Sequence, residues 1–423
     1  GGKRMRVAVS PKLDVTDLSY GQWVRLDDTM IDLGMSPLAN SYISKENEDM
    51  GQMTYPLHVR VCKQCFLVQL DEFESPRDIF EDYAYFSSYS QGWLAHAKKY
   101  TEHMMEHYGI GADTRVIEIA SNDGYLLQYF KEKGVPVLGI EPAANVAKIA
   151  VGKGIETVID FFGTRLAKQL VKEEKKADLL LGNNVLAHVP DINDFVEGMR
   201  IILADDGILT VEFPHVLHLI EKAEFDTIYH EHFSYLSLYT VRQIFASHGL
   251  RVFHVETLPT HGGSLRVYAC RETSSRHALC PSVDAILAEE EAHGLQKIGT
   301  YTSFDEKAKK IKYDLLELLI ECKRAGKRIV GYGAAAKGNT LLNFCGIGTE
   351  FLDFIVDKNP YKQNTLLPGS RIPVLAPSEI EKVKADYVLI LPWNLTDEIV
   401  EEMACIREWG GHFIVPIPSV KVL

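Results

Sequence analysis

Val116-Ile-Glu-Ile-Ala-Ser-Asn-Asp-Gly-Tyr125 is the stretch that decides how this chain folds. Arg115–Ala120 reads as a buried strand, which breaks into a tight polar turn and enters a helical pattern at Tyr125–Lys133. In open parallel sheets, ligands lie at the carboxyl ends of strands, where such turns sit. Working outward, Pro136–Ile140 reads as a second strand and Asn145–Gly152 as a helix; Ala177–Leu181, Gly207–Phe213 and Leu250–Val255 read as further strands. Strands alternating with helices of about 10–15 residues predict parallel βαβ construction and an α/β fold.

The turn also narrows the chemistry. Gly124 alone is too few for the G-x-G-x-x-G pyrophosphate fingerprint, which disfavours NAD. Glu141, at the end of the second strand and followed by Pro142, can accept both hydroxyls of a ribose. Glu118 lies inside the first strand, where a buried carboxylate needs a partner. Asp160-Phe161-Phe162 fits an adenine site, a carboxylate for the amino group with aromatics beside the ring. S-adenosylmethionine carries both an adenosine and a cationic amino-acid end, so the turn Ala120, Ser121, Asn122, Gly124 and these residues predict a methyl donor. The plainer alternative is helix caps, turn residues and core phenylalanines.

Further along, Phe225-Asp-Thr-Ile-Tyr-His-Glu-His-Phe-Ser-Tyr235 gathers polar groups between apolar ones. Three readings stand: His230 and His232 as metal ligands, two surface histidines, or His232 as a general base with Tyr229 donating to a developing enolate oxygen. Val252–Leu258 and Ser264–Cys270 flank a Pro-Thr-His-Gly-Gly turn and read as a hairpin with Arg266 on its surface. Residues 283–325 read as helix. Gly331-Tyr-Gly-Ala-Ala-Ala-Lys337 then follows a strand and opens a helix, an anion site suited to a diphosphate or simply a glycine-rich turn. Phe354–Val356 and Tyr387–Leu391 are the later strands. Two nucleotide-type α/β units are therefore expected.

Composition bounds the rest. The 423 residues are 46% hydrophobic and 24% charged, which excludes a disordered or collagenous chain. The formal net charge is −13, so no nucleic-acid or membrane partner is expected. Seven cysteines, an odd number, argue against a disulfide framework and for a cytoplasmic protein. No apolar run approaches the ~20 residues of a membrane span.

Eight stretches, in order and spacing, give a specific resemblance. Asp32-Leu-Gly-Met-Ser-Pro-Leu-Ala-Asn40, Cys62-Lys-Gln-Cys65-Phe-Leu-Val-Gln69, Tyr85-Phe-Ser-Ser-Tyr89, Glu118-Ile-Ala-Ser-Asn-Asp-Gly124, Asn184-Val-Leu-Ala-His188, Tyr229-His-Glu-His232, His261-Gly-Gly263 and Tyr332-Gly-Ala-Ala-Ala-Lys337 resemble the S-adenosylmethionine-dependent C-methyltransferases of nucleotide-linked keto-deoxysugars, as does Asn343-Phe-Cys-Gly-Ile-Gly348. The resemblance implies a small zinc-binding-type module (residues 1–75), a Rossmann-like methyltransferase core (76–282) and a C-terminal α/β domain holding the substrate nucleotide (283–423).

It further implies methylation at ring carbon 3 of an NDP-4-keto-6-deoxysugar, dTDP being the expected nucleotide, by a monomer or homodimer. His232 would be the base; Tyr83, Tyr229 and Glu231 would line the sugar. Ser87, Asn184 and His188 would join the cofactor side, and His261, Gly262, Gly263, Tyr332, Lys337 and Asn343 the substrate side. The family's zinc module has two close cysteine pairs, but residues 1–31 contain no cysteine, so Cys62 and Cys65 stand alone as metal candidates. An NAD-dependent sugar-nucleotide epimerase or reductase, and a non-catalytic sugar-nucleotide binder, are the competing expectations.

Overall fold

The computed structural model describes residues 4–6, 23–71, 73 and 86–423. The chain divides into two compact units, each assembled from separate stretches. Unit 1 takes the described residues of Gly1–Asp27, Cys62–His215 and Phe233–Gln296; unit 2 takes Asp28–Val61, Val216–His232 and Lys297–Leu423.

Unit 1 is built on seven strands: β1 (Val116–Ile119), β2 (Val137–Ile140), β3 (Thr157–Val158), β4 (Ala177–Asn183), β5 (Leu203–Pro214), β6 (Leu250–Leu258) and β7 (Ser264–Arg271). Their order is β6-β7-β5-β4-β1-β2-β3. The four pairs from β5 through β4, β1 and β2 to β3 run parallel, while β7 pairs antiparallel with both β5 and β6. The order therefore reverses at β1, which is where an open sheet forms its crevice.

Side chains alternate across the strands as their period of two requires. Ile117, Ile119 and Leu180 enter one apolar cluster; Val116, Leu179 and Leu181 enter the other. Helices cover each face: Leu166, Leu170, Phe195 and Met199 belong to the first cluster, Ala97, Tyr100, Met104 and Phe130 to the second. Both faces being covered explains why the central strands read as continuous apolar runs. Helix α1 (Gln91–Tyr108) begins where Ser90 accepts from the Trp93 amide at 3.2 Å, and it ends at left-handed Gly109.

In unit 2, Thr29–Ser36 pairs antiparallel with Tyr55–Val61. A second sheet contains β8 (Ile329–Tyr332), β9 (Ile355–Val356), β10 (Val374–Leu375), β11 (Tyr387–Ile390), β12 (His412–Val415) and β13 (Lys421–Val422), in the order β10-β9-β8-β11-β12-β13. The expected single helix over residues 283–325 is three: α2 (Pro281–Ala292), Ile298–Thr302 and α3 (Phe304–Arg324). Gly294, left-handed at φ 77°, ends the first. Among the described residues no disulfide forms and no helix is long and apolar enough to cross a membrane.

Arg266 was expected on the hairpin surface and is instead 6% exposed. Its guanidinium donates to Glu212 Oε2 at 3.1 Å and to Glu256 Oε2 at 3.2 Å. Register explains the burial, because β7 is flanked by β5 and β6, and Arg266 sits opposite Glu212 on one and Glu256 on the other. Burial pushes the Glu212 carboxyl up, but the His96 hydrogen bond and the Arg266 charge outweigh it and hold it below its ordinary value. Glu212 thus stabilises the fold above the ordinary carboxylate pKa of about 4.3 and loses that contribution as pH falls below it. Arg266→Met leaves a buried carboxylate without its cation and is expected to cost about 3–5 kcal/mol at neutral pH, read as a lower urea midpoint. A midpoint equal to wild type would mean that the ion pair is energetically idle.

Candidate active site

The turn after β1 concentrates backbone strain. Ala120, Asn122 and Gly124 all adopt positive φ, at 59°, 53° and 79°. Only the last is free of a Cβ penalty, and non-glycine residues in this region persist where the surroundings over-determine them. Glycine is required at 124 on a second count, since a Cβ there would meet Ile155 Cδ1 at 2.5 Å. At the neighbouring strand, a Cβ on Gly139 would come within 2.5 Å of Ser121 Oγ.

The surroundings that over-determine the turn are hydrogen bonds. Asn122 N donates to Glu141 Oε1 at 3.0 Å, and Ala143 N donates to Glu141 Oε2 at 2.8 Å, with Pro142 half-buried between. Ser87 N donates to Asn122 Oδ1 and Ser88 N to Asp123 Oδ2, both at 3.1 Å, fastening the 86–90 segment to the turn. Burial raises the Glu141 carboxyl to about 7 against the pull of the Ala143 and Asn122 amides. Glu118 is fully buried, and neither carboxylate oxygen meets a hydrogen-bond partner among the described residues. Burial holds it well above its usual range; the Tyr125 hydroxyl favours the charged form without reaching hydrogen-bond geometry, and Glu141 opposes it. Buried carboxyl oxygens without a partner suit a site that receives a cationic, hydrogen-bond-donating ligand.

A second group lies at the ends of β4 and β5. Asn184, left-handed at φ 55°, donates its amide to Glu212 O at 2.8 Å and its Nδ2 lies 3.1 Å from His261 Nε2. His261 is itself left-handed at φ 51°, exposed, and edge-on to Trp93 at 5.7 Å; Gly262 and Gly263 follow with positive φ. Trp93 stacks on His96 at 5.0 Å and on Tyr125 at 6.1 Å, while His96 Nε2 lies 2.7 Å from Glu212 Oε1. His188 is half-buried in the short turn that closes the Asn184-Val-Leu-Ala-His188 motif. His261 was expected with the substrate residues and Asn184 with the cofactor residues, yet the two are hydrogen-bonded to each other. Trp93, His96 and Glu212 escaped the sequence because each is an isolated polar or aromatic residue in an otherwise ordinary helix or strand.

Asp160, after β3, spends one oxygen on the Phe161 amide and pairs the other with Arg165. Phe161 and Phe162 are half-buried, and Phe162 packs edge-on against Phe195 at 5.4 Å. Cys62 and Cys65 are 3% and 0% exposed and close a turn in which Phe66 N donates to Cys62 O, with Phe66 at φ 58°. Among the described residues no group of three His, Cys, Asp or Glu side chains could hold a metal ion. Two thiols do not complete a four-coordinate structural zinc site, so the described residues do not fit zinc.

In unit 2 the 225–232 part of the motif folds as a turn, which separates its two histidines. His230 Nε2 faces Pro56 O at 3.1 Å, whereas His232 Nδ1 donates to Thr227 O at 2.8 Å. A carbonyl only accepts, so Nδ1 carries the hydrogen and the lone pair of neutral His232 lies on Nε2. The Tyr229 ring lies 4.0 Å from that of His232. Asn40 Nδ2 donates to both Glu231 carboxylate oxygens, at 2.7 and 2.9 Å. Asn40 closes a motif that resembled part of the zinc module, and its real partner lies 191 residues away. Tyr83 lies outside the described residues.

The glycine loop of unit 2 is likewise occupied. Ala334 N donates to Asp357 Oδ2 at 2.8 Å, and Ala334 O accepts from Tyr42 and from Lys362 Nζ. Lys337 donates to Asn394 and lies 4.4 Å over the Trp393 ring; Trp393 Nε1 donates to buried Asp226 at 2.7 Å. Burial lowers Lys337, and the Asp226 and Glu224 charges resist that; burial raises Asp226 to about 6 and Glu224 to about 8. Tyr332 donates to Glu402, and Asn343 Nδ2 donates to Asn339 O and Pro368 O, bracing a loop.

Family models match the chain over four stretches. A putative zinc binding domain covers residues 25–80, a methyltransferase domain 87–255, a C-methyltransferase C-terminal domain 259–418, and a proteasomal ATPase OB N-terminal domain 1–34. C-methyltransferase NovU of Streptomyces niveus is 36% identical over 394 residues, which is 93% of this chain and 94% of that protein. Solved structures with similar parts include the PH0226 protein of Pyrococcus horikoshii OT3 (14% identity, 47% of this chain, 99% of that one, TM-score 0.37). Magnesium protoporphyrin IX methyltransferase of Synechocystis PCC 6803 with bound SAM is another (15%, 46%, 88%, 0.34). Structural likeness at that level carries no weight here, but the sequence match runs along nearly the whole length: the chain belongs to the S-adenosylmethionine-dependent C-methyltransferases.

Proposed function

We propose that this C-methyltransferase acts on an NDP-linked 4-keto-6-deoxysugar, with dTDP as the nucleotide, and methylates ring carbon 3 through an enolate. The observation that most supports this reading is the His232 hydrogen bond to Thr227 O, which puts the basic lone pair on Nε2 beside the Tyr229 ring. A hydrogen next to a 4-keto group is acidified because its anion spreads onto oxygen. His232 Nε2 takes that proton; Tyr229 or Tyr83 donates to the oxyanion. S-adenosylmethionine, held around the Ala120–Gly124 turn, would supply an electrophilic methyl on a positively charged sulfur for carbon 3, with the neutral thioether S-adenosylhomocysteine as leaving group. The ketone re-forms, and His232 returns its proton to solvent.

In this proposal Glu141 holds the ribose, Asp160, Phe161 and Phe162 meet the adenine, and the Ala120–Gly124 turn with Glu118, Ser87, Asn184 and His188 surrounds the amino-acid end. Asn40 keeps Glu231 from swinging and so shapes the sugar wall beside Tyr229. His261–Gly263, Tyr332, Lys337 and Asn343 serve the nucleotide-sugar. Residues 1–75, 76–282 and 283–423 would divide into support, methyl-donor and nucleotide roles.

Incubating the enzyme with dTDP-4-keto-6-deoxyglucose and the methyl donor is expected to add one CH₂ mass to the sugar. His232→Ala lowers that rate by about 10²–10⁴-fold, the range of a lost general base. Retained turnover would remove His232 from the mechanism. In D₂O, label enters carbon 3; label only at carbon 5 would move the methylated position.

Ribose hydroxyls donate, so the carboxylate form of Glu141 is the binding form. With the carboxyl pushed up to about 7, affinity for S-adenosylhomocysteine rises as pH climbs through that value, and Glu141→Gln flattens the rise. Calorimetry across that range checks it, and a pH-independent wild-type affinity counts against the ribose assignment.

A further inference from the structure

The segment that carries Tyr229, Glu231 and His232 is an excursion. The chain leaves unit 1 after His215 and comes back at Phe233, immediately after His232. Both crossing points are tied down inside unit 1. At the exit, His215 N donates to Gly263 O at 3.0 Å, and His215 bridges to Leu236. At the return, Phe233 N donates to Ala187 O at 2.7 Å and Phe233 O accepts from Leu70 N at 2.9 Å. Ser234–Tyr235 then pairs with Val68–Leu70, the strand that follows the Cys62–Cys65 turn.

One side chain joins the two crossings. Glu290, in α2, is fully buried. Its Oε2 accepts from His215 Nε2 at 2.6 Å and from Leu238 N at 2.7 Å; its Oε1 accepts from Tyr239 N at 3.0 Å. Leu238 and Tyr239 open the helix Leu238–Ser247, so the carboxyl also lies at that helix's amino end, where a negative group is favoured. An acidic residue on a distant helix spends its hydrogen-bonding capacity on the histidine that ends the outbound strand and on the backbone just beyond the inbound one. Charge-assisted bonds of this kind are the strong ones, and a carboxylate buried without them is costly. Nothing in the fold of α2 itself calls for this carboxyl; its partners are all at the two crossings.

We propose that Glu290 is a positioning residue for His232, acting through His215 and the return strand to hold the ends of the 216–232 excursion. The inference rests on His232 being the base. Its physical content is that a reacting group whose flanking backbone loosens by about 1 Å can lose on the order of 10²-fold in rate. The loss falls on the proton-abstraction step and spares the cofactor turn, which makes no use of Glu290.

Five proteins decide the matter: wild type, His232→Ala, Glu290→Ala, Glu290→Gln and His215→Ala. For each, deuterium uptake by dTDP-4-keto-6-deoxyglucose in D₂O with S-adenosylhomocysteine present is compared with methyl-transfer kcat and KM, and with S-adenosylhomocysteine affinity by calorimetry. Glu290→Ala and His215→Ala are expected to lower exchange and kcat together by tens-fold while leaving that affinity within about threefold. Glu290→Gln, which keeps an acceptor oxygen, recovers part of the loss. Wild-type exchange and kcat in either folded variant overturn the proposal, and so does an affinity that falls as far as kcat. Should Glu290→Ala not fold, His215→Ala decides alone. If His232→Ala retains exchange, the base assignment fails and the proposal with it; if only His232→Ala loses exchange, Glu290 alone is dismissed.

Discussion

The carboxyl edge of the seven-stranded sheet is held by the pairing of Glu212 with Arg266. A carboxylate at 1% exposure is costly to leave unpaired, and the arginine that pairs with it comes from the antiparallel strand next door. Because the pairing crosses β5 and β7, it locks the register of the hairpin to that of the parallel sheet. Because Glu212 also bonds His96 and, through its carbonyl, the Asn184 amide, it sets the left-handed bend at the end of β4 and the Trp93–His96 stack. Glu118 and Glu141, on neighbouring strands, are managed differently: one has backbone donors, the other has none among the described residues. One buried acid is spent on the fold, one on the turn, and one is kept open.

Much of this architecture was legible in the chain. Apolar runs such as Val137–Ile140 and Leu179–Leu181, each followed by a polar turn, announce a sheet covered on both faces, and the Gly124 turn and Glu141 announce its switch point. Edges were less legible: β5 runs from Leu203 to Pro214, past the expected start at Gly207, since Leu203 pairs with Ala177 of β4 before the register shifts and resumes at Ile208. Arg266 was misjudged because a hairpin arginine looks solvent-bound until the strand on its far side is known. Gly294, after which the 283–325 stretch breaks, stands among helix-favouring residues that give no other stop.

The site was legible as single motifs and illegible as partnerships. His232 and Tyr229 are adjacent in sequence, and a local turn suffices to bring the rings together. Glu231 with Asn40, Ala334 with Tyr42, and Glu290 with His215 are separated by tens to hundreds of residues, and no periodicity links them. Lys337 reads as an anion-seeking lysine by spacing. Its actual neighbours, Trp393, Asn394, Asp226 and Glu224, come from two other stretches that no spacing links to it.

The interleaving of the two units bears on how the chain is made. The ribbon at 29–61 emerges first, yet the groups that complete its surroundings arrive last: Ala39 O waits for Asn339, and Glu48 O for Arg371, 323 residues later. At cellular synthesis rates of about 5–20 residues per second, that delay is on the order of tens of seconds. Strand edges exposed for so long are adhesive. Unit 1, by contrast, has its final segment in hand once Gln296 is out. Nascent chains halted near that point would therefore present one finished body and one orphaned ribbon, a species for which the ribosome exit and its attendant chaperones are the natural first company.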